Sequence, residues 1–211
     1  MKRIYAVGDI HGRFDKLSAL MDKIDIDFES DTLVFIGDYI DRGPQSFEVV
    51  EYLVDLKKRH PDTIFLKGNH EDLLEKYLSG SDRLSYLYNG GQQTLDSYMS
   101  RPRQKDAPLI PPEHLDFFKS LLMYYETDGY IFVHAGLRKK VSLNDQDPQD
   151  LLWIRKEFIQ SNYDFGKVIV FGHTPLLEPL LRPNKIGIDT GAVYGNKLTC
   201  IRLPELAFYT A

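Results

Sequence analysis

A single cysteine, Cys200, stands among 211 residues, so no disulfide within the chain can brace the fold. That scarcity fits a reducing, cytoplasmic compartment. Cys200 itself, in the strand-like stretch 197–203, reads as a small buried apolar side chain. Long apolar runs are missing too. Nothing approaches a membrane span, and the run at 4–7 after Met1-Lys2-Arg3 is too short for a secretory signal and lacks a small-residue cleavage site. Nor is there an excess of positive charge. The 26 Lys and Arg are outnumbered by 31 Asp and Glu, for a net −5, so no sequence-wide basic surface recruits nucleic acid. Arg101, Arg103 and Lys105 make only a small basic loop, read as a solvated face. Internal repeats, heptads and low-complexity tracts are absent as well.

What is present is enough apolar material for a sizeable core, 43% hydrophobic and 12% aromatic residues. The length fits a single domain over 1–211. Short β-rich runs at 4–7, 32–36, 63–66, 130–133, 168–171, 186–188 and 197–203 alternate with helical spacing. Leu17, Leu20, Met21 and Ile24 keep that spacing, as do Val49, Val50, Leu53 and Leu56, and then Leu115, Phe118, Leu121 and Leu122. Strand-then-helix order early and strand pairs late predict an α/β fold, a layered β-sandwich flanked by helices. The least regular part, about 80–111, holds Asn89-Gly90-Gly91 and a loop with Pro and Arg, and reads as a cap or surface insertion.

The informative feature is positional. Five apolar runs each end in a polar motif containing Gly with His, Asp or Asn: Gly8-Asp9-Ile10-His11-Gly12, Gly37-Asp38-Tyr39-Ile40-Asp41-Arg42-Gly43, Gly68-Asn69-His70-Glu71, His134-Ala135-Gly136 and Gly172-His173-Thr174-Pro175. Strand carboxyl ends in α/β sheets share one edge, where ligand sites collect. Any one motif is weak, because a strand-end His or Gly-Asp is ordinarily a turn. Five in one chain are a site. The other two histidines, His60 and His114, lie next to helix ends and read as surface or capping residues.

Asp, His and Asn without Cys form an oxygen and nitrogen donor set, suited to Mn, Fe, Zn or Mg. Asp9 and His11, two apart on an extended segment, would point the same way and grip one ion. His134, His173 and Asn69 can serve a second, with Asp38 bridging both. Two such ions about 3.5–4 Å apart lower the pKa of a shared water and clamp a phosphoryl group.

These motifs together resemble the signatures of the phosphoprotein phosphatase family, within the calcineurin-like metallophosphoesterases. The likeness spans about residues 4–203 and is nearest to small bacterial and bacteriophage serine/threonine phosphatases. Leu152-Trp153-Ile154-Arg155, Asn89-Gly90-Gly91 and the stretch 188–193 share in it. It implies a dinuclear centre, with manganese the first expectation, held by Asp9, His11 and Asp38 and by Asp38, Asn69, His134 and His173. It also implies direct attack by metal-bound hydroxide on a phosphomonoester, a phosphoprotein serine/threonine phosphatase activity. Arg42 and Arg155 would grip phosphate oxygens with the planar fork that suits Arg. His70 would protonate the leaving group, oriented by Asp41.

Three further expectations follow. Arg155 could instead be a solvated residue of a helix over 150–160. Glu71 should brace the helix after it. Tyr39, bulky between Asp38 and Asp41, should narrow the mouth of the site. Two other functions compete. A dinucleoside polyphosphate or small phosphoester hydrolase of the same superfamily would use the same centre on a small substrate. A non-catalytic binding module would normally have lost a ligand, whereas all six are here.

Overall fold

The computed structural model describes residues 3–102, 104 and 106–211. Arg103 and Lys105 of the basic loop lie outside the described residues. Their neighbour Arg101 pairs with Glu48 and covers the Phe47 ring. In chain order the elements are β1 (Ile4–Val7), α1 (Phe14–Met21), β2 (Thr32–Phe35), α2 (Ser46–Arg59), β3 (Ile64–Phe65), α3 (Asn69–Leu78), α4 (Arg83–Tyr86), α5 (Gln92–Met99), α6 (Pro112–Lys119), β4 (Tyr124–Glu126), β5 (Tyr130–Val133), α7 (Pro148–Trp153), α8 (Lys156–Ile159), β6 (Val168–Phe171), β7 (Leu180–Arg182), β8 (Lys185–Gly187), β9 (Thr199–Leu203) and β10 (Ala207–Thr210). The seven expected runs appear as β1, β2, β3, β5, β6, β8 and β9. The edge strands β4, β7 and β10 are additions.

Among the described residues the strands form two mixed sheets, ordered β10-β9-β1-β2-β3 and β4-β5-β6-β8-β7. Each has a parallel part, β1 with β2 and β2 with β3 in one, β5 with β6 and β6 with β8 in the other, with antiparallel strands at one margin of the first sheet and at both margins of the second. Alternate side chains divide between layers, as the period of a strand requires. Ala6, Val34, Phe132 and Val170 meet between the sheets. Tyr5, Val7, Leu33 and Phe35 face the helices on one side, and Ile131, Val133, Ile169 and Phe171 face α8 and its neighbours on the other. The central strands are thus buried on both faces, which is why they read as unbroken apolar runs.

Within 80–111, Tyr86, Leu95, Tyr98 and Ile110 join the same buried cluster as Val49, Val50 and Leu53 of α2. A distorted turn, Leu87–Gly91 with Gly90 at φ 97°, carries the chain from α4 to α5. The expected helix over 150–160 is broken. α7 ends at Trp153 and α8 starts at Lys156, with Arg155 at φ −128°, ψ −101° between them. His114 is not a surface residue. It is buried, bonded to the Tyr98 hydroxyl at 2.8 Å and to Glu51 at 2.9 Å, because α6 packs against α2 and its first turn is covered by α5. No helix among the described residues is long and apolar enough to cross a membrane.

Candidate active site

The loops after β1, β2, β3, β5 and β6 meet at one edge of the sandwich, joined across the two sheets where His134 Nδ1 reaches the Ile36 carbonyl at 3.0 Å. Their backbone is strained. Of the seven described non-glycine residues with positive φ, five are here: His11 (48°), Asp38 (52°), Asp41 (73°), Arg42 (68°) and His173 (63°). Left-handed backbone costs an L-residue roughly 1–2 kcal/mol, so surrounding bonds must hold it, and such strain gathers at functional sites. His11 was expected on extended chain. It turns instead, its N–H and that of Ile10 both donating to the Asp38 carbonyl.

Glu71 holds the Asp38 turn. Its carboxylate accepts N–H bonds from Asp38 (3.0 Å), Tyr39 (2.9 Å) and Gly68 (2.9 Å), so it closes the start of α3 and also fastens the loop after β2. Gly68 has no side chain because a Cβ there would strike the Asp38 carboxylate and amide. Tyr39 does not narrow the mouth. Its ring is buried against Phe65 and Phe117, and its hydroxyl donates to the Leu66 carbonyl at 2.7 Å. The positive φ of Asp38 turns the next side chain into the core.

Asp38 is the centre of the arrangement. Its Oδ2 lies 3.4 Å from His11 Nε2 and its Oδ1 3.4 Å from His134 Nε2, one oxygen towards each imidazole. Two groups of ligand atoms, each within 4.8 Å, share it: His11, Asp38 and His70, and Asp38, His134 and His173. Asn69 Oδ1 is 2.9 Å from His134 Nε2. Asp9 is not in either group; its carboxylate accepts the His173 N–H at 3.0 and 3.2 Å.

The donor chemistry fits cations. His11 Nδ1 and His134 Nδ1 face the carbonyls of Ile40 (2.9 Å) and Ile36 (3.0 Å), which only accept. Each ring therefore carries its proton on Nδ1 and presents an unprotonated Nε2 to the site, as metal-binding imidazoles do. His173 Nε2 and His70 Nε2 are buried without a hydrogen-bond partner. Asn69 Oδ1, Asp38 Oδ1 and His134 Nε2 converge as three electron-pair donors, which a shared cation satisfies.

The electrostatics agree. Burial pushes His11 down to about 3 and His173 down to about 2, and it lowers His134, so all three are neutral donors. Burial works upward on Asp38, yet its carboxyl lies below the usual range, the direction in which positive charge at the surrounding imidazoles, His134 first, pulls it and in which a cation held there would pull it too. Burial, then the like charges of Asp189 and Asp38, pushes Asp9 well above its ordinary value. A cation among these carboxylates would relieve that repulsion.

His70 and Asp41 form a fully buried pair, Nδ1 to Oδ2 at 2.7 Å. The other Asp41 oxygen accepts from the Thr94 hydroxyl at 2.7 Å. Each oxygen thus has a buried partner, and Arg42 does not pair with its neighbour. Its backbone N–H instead donates to the Gly90 carbonyl (3.0 Å) and its Nη1 to His11 Nε2 (2.7 Å), so it stands at the site. Arg155 is exposed, and its positive charge helps depress His134 and His173. Trp153 turns its ring edge to His173, centroids 6.0 Å apart.

Three contributors were not foreseen in these roles. Glu71 fastens a second loop, and Thr94 anchors Asp41 from the irregular segment, with no local signal. Asp189, buried and bonded to the Gly191 N–H at 2.9 Å, does carry a signal. It follows the 186–188 run with glycine two residues on, a sixth strand-end motif.

Residues 2–200 match the sequence profile of the family described as calcineurin-like phosphoesterase. The chain belongs to that family. Calcineurin-like phosphoesterases use a dinuclear metal centre, and the two His/Asp groups sharing Asp38 are where this member could hold one. A curated relative is the bis(5′-nucleosyl)-tetraphosphatase PrpE (asymmetrical) of Geobacillus sp. (strain WCH70), 29% identical over 229 residues, covering 97% of this chain and 91% of its own. Among solved structures, a putative diadenosine tetraphosphatase superposes with TM-score 0.74 at 24% identity over 100% of this chain and 93% of its own. A protein serine/threonine phosphatase from Saccharomyces cerevisiae gives 0.69 at 20% over 96% and 72%. At these identities the two superpositions carry the fold alone, and that fold is the layered sandwich expected for calcineurin-like phosphoesterases.

Proposed function

We propose that this phosphoesterase hydrolyses dinucleoside polyphosphates of the bis(5′-nucleosyl)-tetraphosphate type. The phosphoprotein reading, which rested on the resemblance of the combined motifs, gives way because those motifs serve any phosphoryl group. Asp41 and Glu71 are spent inside the protein, on His70 and on backbone amides. The observation that carries the proposal is the similarity to a named tetraphosphatase along nearly the whole of both chains.

In this reading Asp9, His11 and Asp38 hold one divalent ion, and Asp38, Asn69, His134 and His173 hold another, with manganese the first to supply and Fe, Zn and Mg the alternatives. Bound there, such ions would supply Lewis acidity and a water of lowered pKa. The chain's own residues do the rest. Arg42 and Arg155 take the non-bridging phosphate oxygens, His70 passes a proton from Nε2 to the departing oxygen, and Asp41 fixes the ring through Nδ1. The test supplies each metal after chelation and compares bis(5′-adenosyl) tetraphosphate, followed by chromatography of its products, with phosphoserine, phosphothreonine and phosphotyrosine peptides. Cleavage to AMP and ATP with the highest kcat/KM supports the proposal. A higher kcat/KM on a phosphopeptide refutes it.

A further inference from the structure

An aromatic ring stands at the rim of this site on a loop built to hold it still. Tyr194 is 62% exposed, and its centroid is 5.8 Å from Cζ of Arg42. The same guanidinium reaches His11 Nε2 at 2.7 Å, so Arg42 lies between a candidate ligand and the tyrosine. A methyl on Gly191 would touch both the Tyr194 ring and Pro175, so Gly191 lies between the ring and the loop that carries His173.

Exposed apolar side chains scattered singly are ordinary. This one is distinguished by its mounting. It ends the short turn Ala192–Tyr194 between two left-handed glycines, Gly191 at 72° and Gly195 at 91°. Asp189 accepts the Gly191 N–H, Thr190 Oγ1 donates to the Lys197 carbonyl at 2.7 Å, and Asn196 Nδ2 donates to the Leu177 carbonyl at 2.9 Å. From the other sheet's side, Arg13 Nη1 reaches the Ala192 carbonyl at 3.3 Å and Lys16 Nζ the Asn196 carbonyl. A loop fixed in place before a ligand arrives loses little freedom when its ring binds one.

Resting on the proposed function, we infer that Tyr194 is the platform on which a nucleobase stacks while Arg42 grips the phosphate next to it. The ribose spans the two. Every base has a π face, so the platform selects nucleoside phosphates over other phosphoesters without selecting a base. The phenol hydroxyl takes no part.

The test measures AMP against ribose 5-phosphate, by inhibition of p-nitrophenyl phosphate hydrolysis and independently by calorimetric titration of the metal-supplied protein. The wild type and Tyr194→Phe should bind AMP about tenfold more tightly than ribose 5-phosphate. In Tyr194→Leu the two ligands should come to parity. No AMP advantage in the wild type, or an advantage that survives in Tyr194→Leu, overturns the platform. So does a Tyr194→Leu variant that weakens ribose 5-phosphate as much as AMP, since the ring would then act by placing Arg42. The comparison needs no dinucleoside turnover. A protein that keeps the AMP advantage yet leaves dinucleoside tetraphosphates intact supports the platform and refutes the assigned substrate.

Discussion

Replacing His70 by Asn separates the two nitrogens of the imidazole. The Asn carboxamide nitrogen occupies the δ position, where it can still donate to Asp41 Oδ2, the 2.7 Å bond of the native pair. Nε2, buried and without a partner, is removed. Because the donor to the buried carboxylate survives, stability should fall by no more than about 1 kcal/mol. Catalysis should fall according to the leaving group. Loss of a general acid costs roughly 10²–10⁴ in rate where the departing oxygen is strongly basic, as in an alkyl phosphomonoester. A nucleoside triphosphate leaves as a weak base and needs little proton transfer, so cleavage of a dinucleoside tetraphosphate should slow by less than about tenfold. The assay is kcat/KM of wild type and His70→Asn on an alkyl phosphate, p-nitrophenyl phosphate and bis(5′-adenosyl) tetraphosphate, with bound metal counted in each sample. Equal losses on all three would show that Nε2 is not the acid. A loss of metal stoichiometry would make His70 a ligand, a possibility raised by its place beside His11 and Asp38.

Substitutions at three other positions probe the supports. Glu71→Ala leaves three buried backbone N–H groups without their acceptor, and urea denaturation should show a loss of roughly 3–6 kcal/mol; Glu71→Gln should lose less, because only the Tyr39 N–H would face an amide nitrogen. Gly172→Ala puts a methyl onto the Asp9 carboxylate, which should weaken metal binding about 10–100-fold in a titration with the urea midpoint little changed; native affinity would show that Asp9 has no part in the centre. Lys185, 1% exposed and bonded to the Phe158 and Ser161 carbonyls, is pushed down by burial to about 8 from 10.5. The folded state thus resists its charge, so the penalty is complete below about pH 8 and fades as pH rises to about 10.5, where the unfolded lysine also loses its proton. Stability should rise across that window by about 2–3 kcal/mol, and in Lys185→Met that rise should be gone.

The legible parts of this protein are those in which local pattern and tertiary role coincide. β1, β2, β5 and β6 are covered on both faces, so each is a four-residue apolar run that nothing else explains. β4, β7 and β10 are half-covered margins, and segments such as Leu180–Arg182 become strands only because β8 offers a free edge. The site shows the same division more sharply. Its candidate ligands announce themselves because glycine must flank them wherever a Cβ would strike a carboxylate, as at Gly68 and Gly172. The left-handed turns at His11, Asp38, Asp41, Arg42 and His173 do not announce themselves, because left-handed backbone is a minority conformation even for Asp and His. They are imposed from a distance. Glu71 lies 33 residues from the Asp38 amide it holds, and Thr94 lies 53 from Asp41. A carboxylate that braces a remote loop and one that binds a metal are the same letter in the sequence. What separates them is the set of partners, three amides for Glu71 and four imidazoles around Asp38. Roles in such a centre therefore follow from donors and acceptors counted atom by atom. By that count Asp189 belongs with the candidate site carboxylates, since one bond to Gly191 leaves most of its acceptor capacity free while its charge is felt at Asp9.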